Sequence, residues 1–184
     1  MYGISKDVQV NESSYFGGGI HSGVSIEKIS YESSSKDGNG KFVLAFHFKG
    51  KNGETFRHVE WPVDDTDASA QSKIDNMAKR IKHILTKFMS EEDVVVGNVG
   101  SFEEYAKAII ALAGSKFNGK TFAIKLVYND KNKLGFTKYT GFIAKEEEAY
   151  KLRIGKDEKV SLPDRKSTRL NSSHTDISRM PSSA

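Results

Sequence analysis

The sequence predicts a β-rich α+β domain in which five strands are interrupted, after the third, by two helices. Three observations carry this. Three β-prone runs, the second the most regular, follow one another between residues 20 and 61, separated by Gly-, Asn- and Asp-rich turns. The apolar period then lengthens to three and four residues. Two further β-prone runs follow between 120 and 144.

Residues 1–19 read as a flexible arm ending in Tyr15, Phe16 and the break Gly17-Gly18-Gly19. The first strand begins at Ile20 or Val24 and runs to Glu32, with β-branched and aromatic residues in partial alternation. Asp37-Gly38 and Asn39-Gly40 mark the turn after it. The second strand, Lys41 to Lys49, is the clearest: Phe42, Leu44, Phe46 and Phe48 share one face, and Val43, Ala45 and His47 the other. Asn52-Gly53 is a hairpin signal, and the third strand, Glu54 to Trp61, is stopped by Pro62. From Asp67 to Met89, Ile74, Met77, Ile81, Ile84, Leu85 and Phe88 form one stripe of an amphipathic helix. A second helix starts at Ser101, which forms a capping box with Glu104, and ends at Gly114. Lys120 to Asn129 and Gly135 to Ala144 supply the last two strands. Residues 145–163 are charged and weakly patterned, and are assigned as an extension outside a domain spanning 20–144.

Five strands with helix after the third is the order of the OB-fold, a partly open Greek-key barrel whose sheet face and loops bind single strands or oligosaccharides. A generic α+β sandwich gives the same string.

The last 21 residues, 164–184, are set aside. DRKSTRLNSSH and ISRMPSSA resemble, codon by codon, a translated short-read sequencing adapter, with Thr175-Asp176 falling where a six-base sample index would lie. The expectation is a non-native tail and a native C-terminus truncated near Pro163. The tail carries Arg165, Lys166, Arg169 and Arg179 against Asp164 and Asp176, which accounts for +2 of the formal net charge of +4. Residues 1–163 are therefore near neutral, and any nucleic-acid surface must come from local clustering.

The chain has no cysteine, which excludes disulfides, thiolate zinc sites and cysteine nucleophiles. Its apolar runs are short and its first residues polar, so no membrane span or signal core is expected. Outside the tail the histidines are His21, His47, His58 and His83, and none has metal-ligand spacing. His47 and His58 are expected to face each other across the hairpin as a polar pair. Gly17-Gly18-Gly19 lacks the strand before it and the Lys-Ser/Thr after it that a phosphate loop needs. Glu91, Glu92 and Asp93 read as a solvated capping cluster. No nucleophile–base pair, cofactor motif or metal site emerges, and a non-catalytic protein is the expectation.

Aromatics and cations interleave on the predicted strands, the mixture a single-strand binder needs: rings stack on bases while cations track phosphates. The candidate interface is Tyr31, Lys49, Lys51, Arg57, Trp61, Lys125, Tyr128, Lys131, Lys133, Lys138 and Tyr139. Phe42, Phe46 and Phe122, in regular alternation, read as core. Trp61 and the tyrosines suit a half-exposed surface. Lys49–Asn52 and Lys131–Lys133 are basic loop tips, for which solvated turns are the competing reading.

Several stretches together resemble a group of small bacteriophage single-stranded DNA-binding proteins with an OB-like core. They are GGGIHSGVSIEKISYESS, KFVLAFHFKGKNGETFRHVEWP, KIDNMAKRIKHILTKFM, SFEEYAKAI and GKTFAIKLVYNDK. The resemblance spans most of residues 15–144. It implies sequence-independent binding of single-stranded DNA during phage replication or recombination, in the cytoplasm of the infected bacterium. Phage replication or recombination proteins would be partners, and self-association stays open. Such proteins often end in an acidic tail, which KEEEAY and Asp157-Glu158 are too mixed to supply. Two other readings stand beside this one: a phage structural or assembly protein that self-associates through its β-face, and an enzyme gathering Glu32, Asp37 and Glu60.

Overall fold

The computed structural model describes residues 15–35, 40–64, 66–137 and 141–162. In order, they form β1 (Gly19–Ser33), β2 (Phe42–Lys49), β3 (Thr55–Glu60), α1 (Ala70–Leu85), α2 (Phe102–Ala113), β4 (Phe122–Tyr128), β5 (Leu134–Gly135), β6 (Ile143–Lys145) and a 3-10 helix over Glu146–Lys151. Residues 1–14 of the arm, Asp37 to Asn39 of the first turn, Lys138, Tyr139, Pro163 and the tail 164–184 lie outside the described residues.

The strands make one antiparallel sheet, ordered β3-β2-β1-β4-β5, with β6 also on β4. It curls into a five-strand half-barrel. The long β1 drives the curl by changing partner midway: Gly19–Val24 pair with β4, and Ser25–Ser33 with β2. Just before the change, the pairing with β4 is irregular between His21 and Val24; it spans Gly23, whose φ of +68° is cheap only for glycine, and whose N–H donates to Glu146 Oε2 at 2.8 Å. A second irregularity follows. Ile26 pairs with Phe48 and Lys28 with His47, so Glu27 is one extra residue, a β-bulge.

Leu44, Phe46 and Phe48 of β2 are buried in the core with Ile26 and Ile29 of β1, Ile81, Ile84 and Leu85 of α1, and Ile109 of α2. Phe42, on the same parity, stays half exposed beside Tyr31, with ring centroids 5.2 Å apart. α1 is shorter than its apolar stripe. At its start Asp67 Oδ1 accepts from Ser69 N and Oγ, a side-chain turn that competes with helix. α2 begins as its capping residues predict: Ser101 Oγ accepts from Glu104 N at 3.2 Å. The return bond from Glu104 reaches Gly100 N rather than the cap residue's own N–H.

The strand expected over 135–144 is interrupted. β5 pairs with Val127 and Tyr128, β6 with Phe122 to Ile124. A regular ladder from Val127↔Gly135 would bring residue 138 opposite Ile124, whose partner is instead Ile143. Phe136, just after β5, and Phe142, just before β6, stack at 4.4 Å between centroids. Residues 145–162, expected as an appended extension, pack on the domain. Leu152 is buried beside Ala123 and Ala144, and Tyr128 N donates to Lys159 O at 2.7 Å.

Two polar contacts hold the layers together. The Glu60 carboxylate, almost wholly buried, accepts from Arg80 Nε and Nη2 at 2.7 and 2.6 Å and from His58 Nε2 at 3.0 Å, tying β3 to α1. His83 of α1 packs edge-on to Phe142 and accepts from Gly141 N at 3.3 Å. Burial, with the Lys87 charge, pushes His83 down to about 4. The unfolded chain, titrating near its ordinary value of about 6.5, therefore takes up the proton first. The stability His83 contributes is complete above that value and is lost as pH falls toward 4. Thermal melts are expected to show a falling midpoint across this window, with a shallower slope for His83→Gln.

Candidate functional site

The face of β1–β2–β3 turned away from the helices carries a row Lys28–His47–Arg57, followed by Ser30–Ala45–Val59. Glu32 is its polar hub. Its carboxylate accepts from Ser30 Oγ at 2.7 Å and His47 Nε2 at 3.1 Å, and pairs with Arg57 Nε at 2.9 Å and Lys28 Nζ at 3.6 Å. Burial pushes Glu32 up, but the Ser30 hydrogen bond and the His47 and Arg57 charges outweigh it, so the carboxyl sits below its ordinary value. Arg57 Nη2 also donates to the Ser33 carbonyl at 3.3 Å.

Ser30, His47 and Glu32 form no catalytic relay. Both neighbours meet the same nitrogen, Nε2, and the Ser30 hydroxyl donates to Glu32 rather than to the ring. A relay needs a base with a free lone pair toward the hydroxyl and its other nitrogen oriented by the acid. His47 and His58 do not face each other: His47 pairs with Arg57 on the outer face, whereas His58 pairs with Phe46 on the core side. Glu32 and Glu60 likewise lie on opposite sides of the sheet, and Asp37 lies outside the described residues. No group of three His, Cys, Asp or Glu side chains among the described residues could hold a metal.

A cleft of about 580 Å³ opens between the β2–β3 hairpin and the β4–β5 turn, with Tyr15, Glu27, His47, Phe56, Arg57 and Tyr128 among its walls. Tyr15 bridges to Thr55 in parallel and is 75% exposed. Phe56 of β3 meets Phe136, just past β5, at 5.2 Å between centroids, so rings close this seam. The cleft offers aromatic side chains, a held guanidinium, and a bulge residue that has no register partner in β2.

Of the eleven sequence-predicted interface residues, Arg57 and Tyr128 meet in this cleft. Lys49 lies on the same sheet face as His47 and pairs loosely with Glu27 at 3.5 Å. Trp61, one residue past β3, is 49% exposed. Lys51 sits in the β2–β3 turn, where its stem covers Gly23. Lys131 and Lys133 are exposed in the β4–β5 turn, their N–H groups both donating to Asn129 Oδ1 at 2.9 Å. Two residues turn elsewhere. Tyr31 shares the parity of Leu44 and Glu60 and packs on Phe42 and Phe102 of the helix side. Lys125 is only 7% exposed; its ammonium donates to both Glu158 oxygens, at 2.8 and 3.0 Å, and to the Arg153 carbonyl at 3.0 Å. Lys138 and Tyr139 lie outside the described residues.

Sequence reasoning missed Glu27, His47 and Phe56 as cleft walls. Glu27 left a trace: apolar Val24, Ile26 and Ile29 are spaced two and then three apart, the phase slip a bulge produces. No protein-family model matches the chain, and no curated protein sequence matches it. Among the described residues no helix is long and apolar enough to cross a membrane.

Proposed function

We propose that this chain is a non-catalytic single-stranded DNA-binding module with an OB-like barrel, acting on phage DNA in replication or recombination within the infected bacterial cytoplasm. The observation that carries the reading is the cleft, which joins Tyr15, Tyr128 and Phe56 to Arg57. Rings of this kind stack on bases of any sequence, and the flanking Lys49, Lys131 and Lys133 suit phosphates. The strand order supports the OB-like part: after three consecutive strands, β4 returns by a long connection to lie beside β1, the order of a Greek key. The phage setting and replication partners rest on the resemblance alone.

Trp61 is the chain's single tryptophan and follows the strand that carries Arg57, so its fluorescence reports on this face. Titration of the full chain with oligothymidine is expected to change the emission. Salt is expected to reverse the change, and duplex DNA to produce less of it. An unchanged emission, together with no binding in an independent assay, would refute the reading.

One observation favours self-association instead. The only bridge on the outer edge of β3 among the described residues is at Tyr15, and Trp61 stands exposed beyond it. A large ordered oligomer indifferent to DNA in size-exclusion chromatography would favour that reading.

A further inference from the structure

We propose that Glu27 gives the cleft a preference for bases that carry an exocyclic amine over thymine. The inference rests on the single-strand reading above and adds a graded preference to binding that all bases share.

The backbone supplies the first argument. Glu27 is the extra residue of the β1 bulge: its neighbours Ile26 and Lys28 pair with Phe48 and His47, and Glu27 pairs with nothing in β2. A bulge re-aims the side chain it carries, and such devices recur beside binding sites. Here the re-aimed side chain forms part of the cleft wall with Tyr15, Arg57 and Tyr128.

The second argument is which polar groups are already held. Arg57 is paired with Glu32 and bonded to the Ser33 carbonyl, and His47 Nε2 faces Glu32. Among the described residues Glu27 meets only Lys49, at 3.5 Å, with both side chains at least half exposed, a contact worth little in water. Its carboxylate is thus the acceptor in the wall that a ligand can recruit at low cost. A carboxylate also repels phosphate, so the ligand part that enters here is a base edge.

Base chemistry then decides the sign. A carboxylate accepts from the N4 amine of cytosine, and adenine and guanine also present exocyclic amines. Thymine offers a single N3–H flanked by two carbonyl oxygens, which face a carboxylate unfavourably.

The test compares labelled oligodeoxycytidine and oligothymidine of equal length, bound by the full chain and by Glu27→Gln under the same salt. Glu27 is exposed, so the variant is expected to fold normally, which a thermal melt checks. Wild type is expected to bind the cytosine strand about five-fold or more tighter, the low end of a base-edge contact. In Glu27→Gln the two affinities are expected to converge, because an amide can turn either its oxygen or its nitrogen to the base. Equal affinities in wild type, a thymine preference, or a ratio unchanged in the variant would each overturn the inference while leaving single-strand binding intact. Failure of both strands to bind would instead remove the reading on which it rests.

Discussion

Arg80→Ala is expected to destabilise the domain by about 3–5 kcal/mol, the cost of leaving a buried carboxylate without its partner. Glu60 has few alternatives: its side chain is 4% exposed, and Arg80 supplies two of its three hydrogen bonds. His58 alone cannot compensate the charge. Denaturant melts of Arg80→Ala and of Arg80→Ala/Glu60→Gln separate the two contributions. The double variant is expected to recover part of the loss, because a neutral amide is cheaper to bury than a carboxylate. A single-variant loss below about 1 kcal/mol would mean that water already reaches Glu60. The pH dependence has a definite sign. Burial pushes Glu60 up, but the hydrogen bonds and charges of Arg80 and His58 outweigh it and leave the carboxyl lowered. The unfolded chain therefore binds the proton first, so this contribution is present above the ordinary carboxyl value and is lost as pH falls below it.

Tyr128→Ala is expected to weaken single-stranded DNA binding by about 1–3 kcal/mol, roughly five- to 150-fold, the loss of one stacking platform. Because Tyr128 is partly buried, removing its ring also removes packing within the fold. Tyr15→Ala supplies the cleaner variant, since Tyr15 also lines the cleft and is 75% exposed. Tyr150, equally exposed but on the 3-10 helix outside the cleft, is the control whose removal is expected to leave affinity unchanged. If Tyr15→Ala and Tyr150→Ala behave alike in equilibrium titrations, stacking in this cleft is not what binds.

The legible parts of the fold were those that local physics determines. Leu44, Phe46 and Phe48 of β2, the Asn52-Gly53 turn and the Ser101 cap all follow from neighbours in sequence, whereas Phe42, read as core from the same alternation, is half exposed at the strand's start. The long-range parts were not legible. Nothing near Lys125 announces that Glu158, far along the chain, buries its ammonium. A charged stretch such as 145–162 reads as solvated until β4 is there to receive Leu152. Tyr31 shows the parity problem: a strand's two faces exchange with one residue of slip, and only the register with Leu44 assigns its side. The cleft was legible in half. Arg57 and Tyr128 carried the right residue types, but the arm residue Tyr15 and the bulge residue Glu27 reach it through tertiary structure.

The most direct test of the central claim is fluorescence anisotropy of a labelled oligothymidine titrated with the full chain at 50 and 200 mM salt. With about three phosphates neutralised, binding is expected to be saturable and to weaken roughly 20-fold between those salts. Tyr15→Ala is expected to weaken it further at each. No saturable binding at the lower salt, or binding untouched by both the salt and the substitution, would contradict the assignment of this cleft to single-stranded DNA.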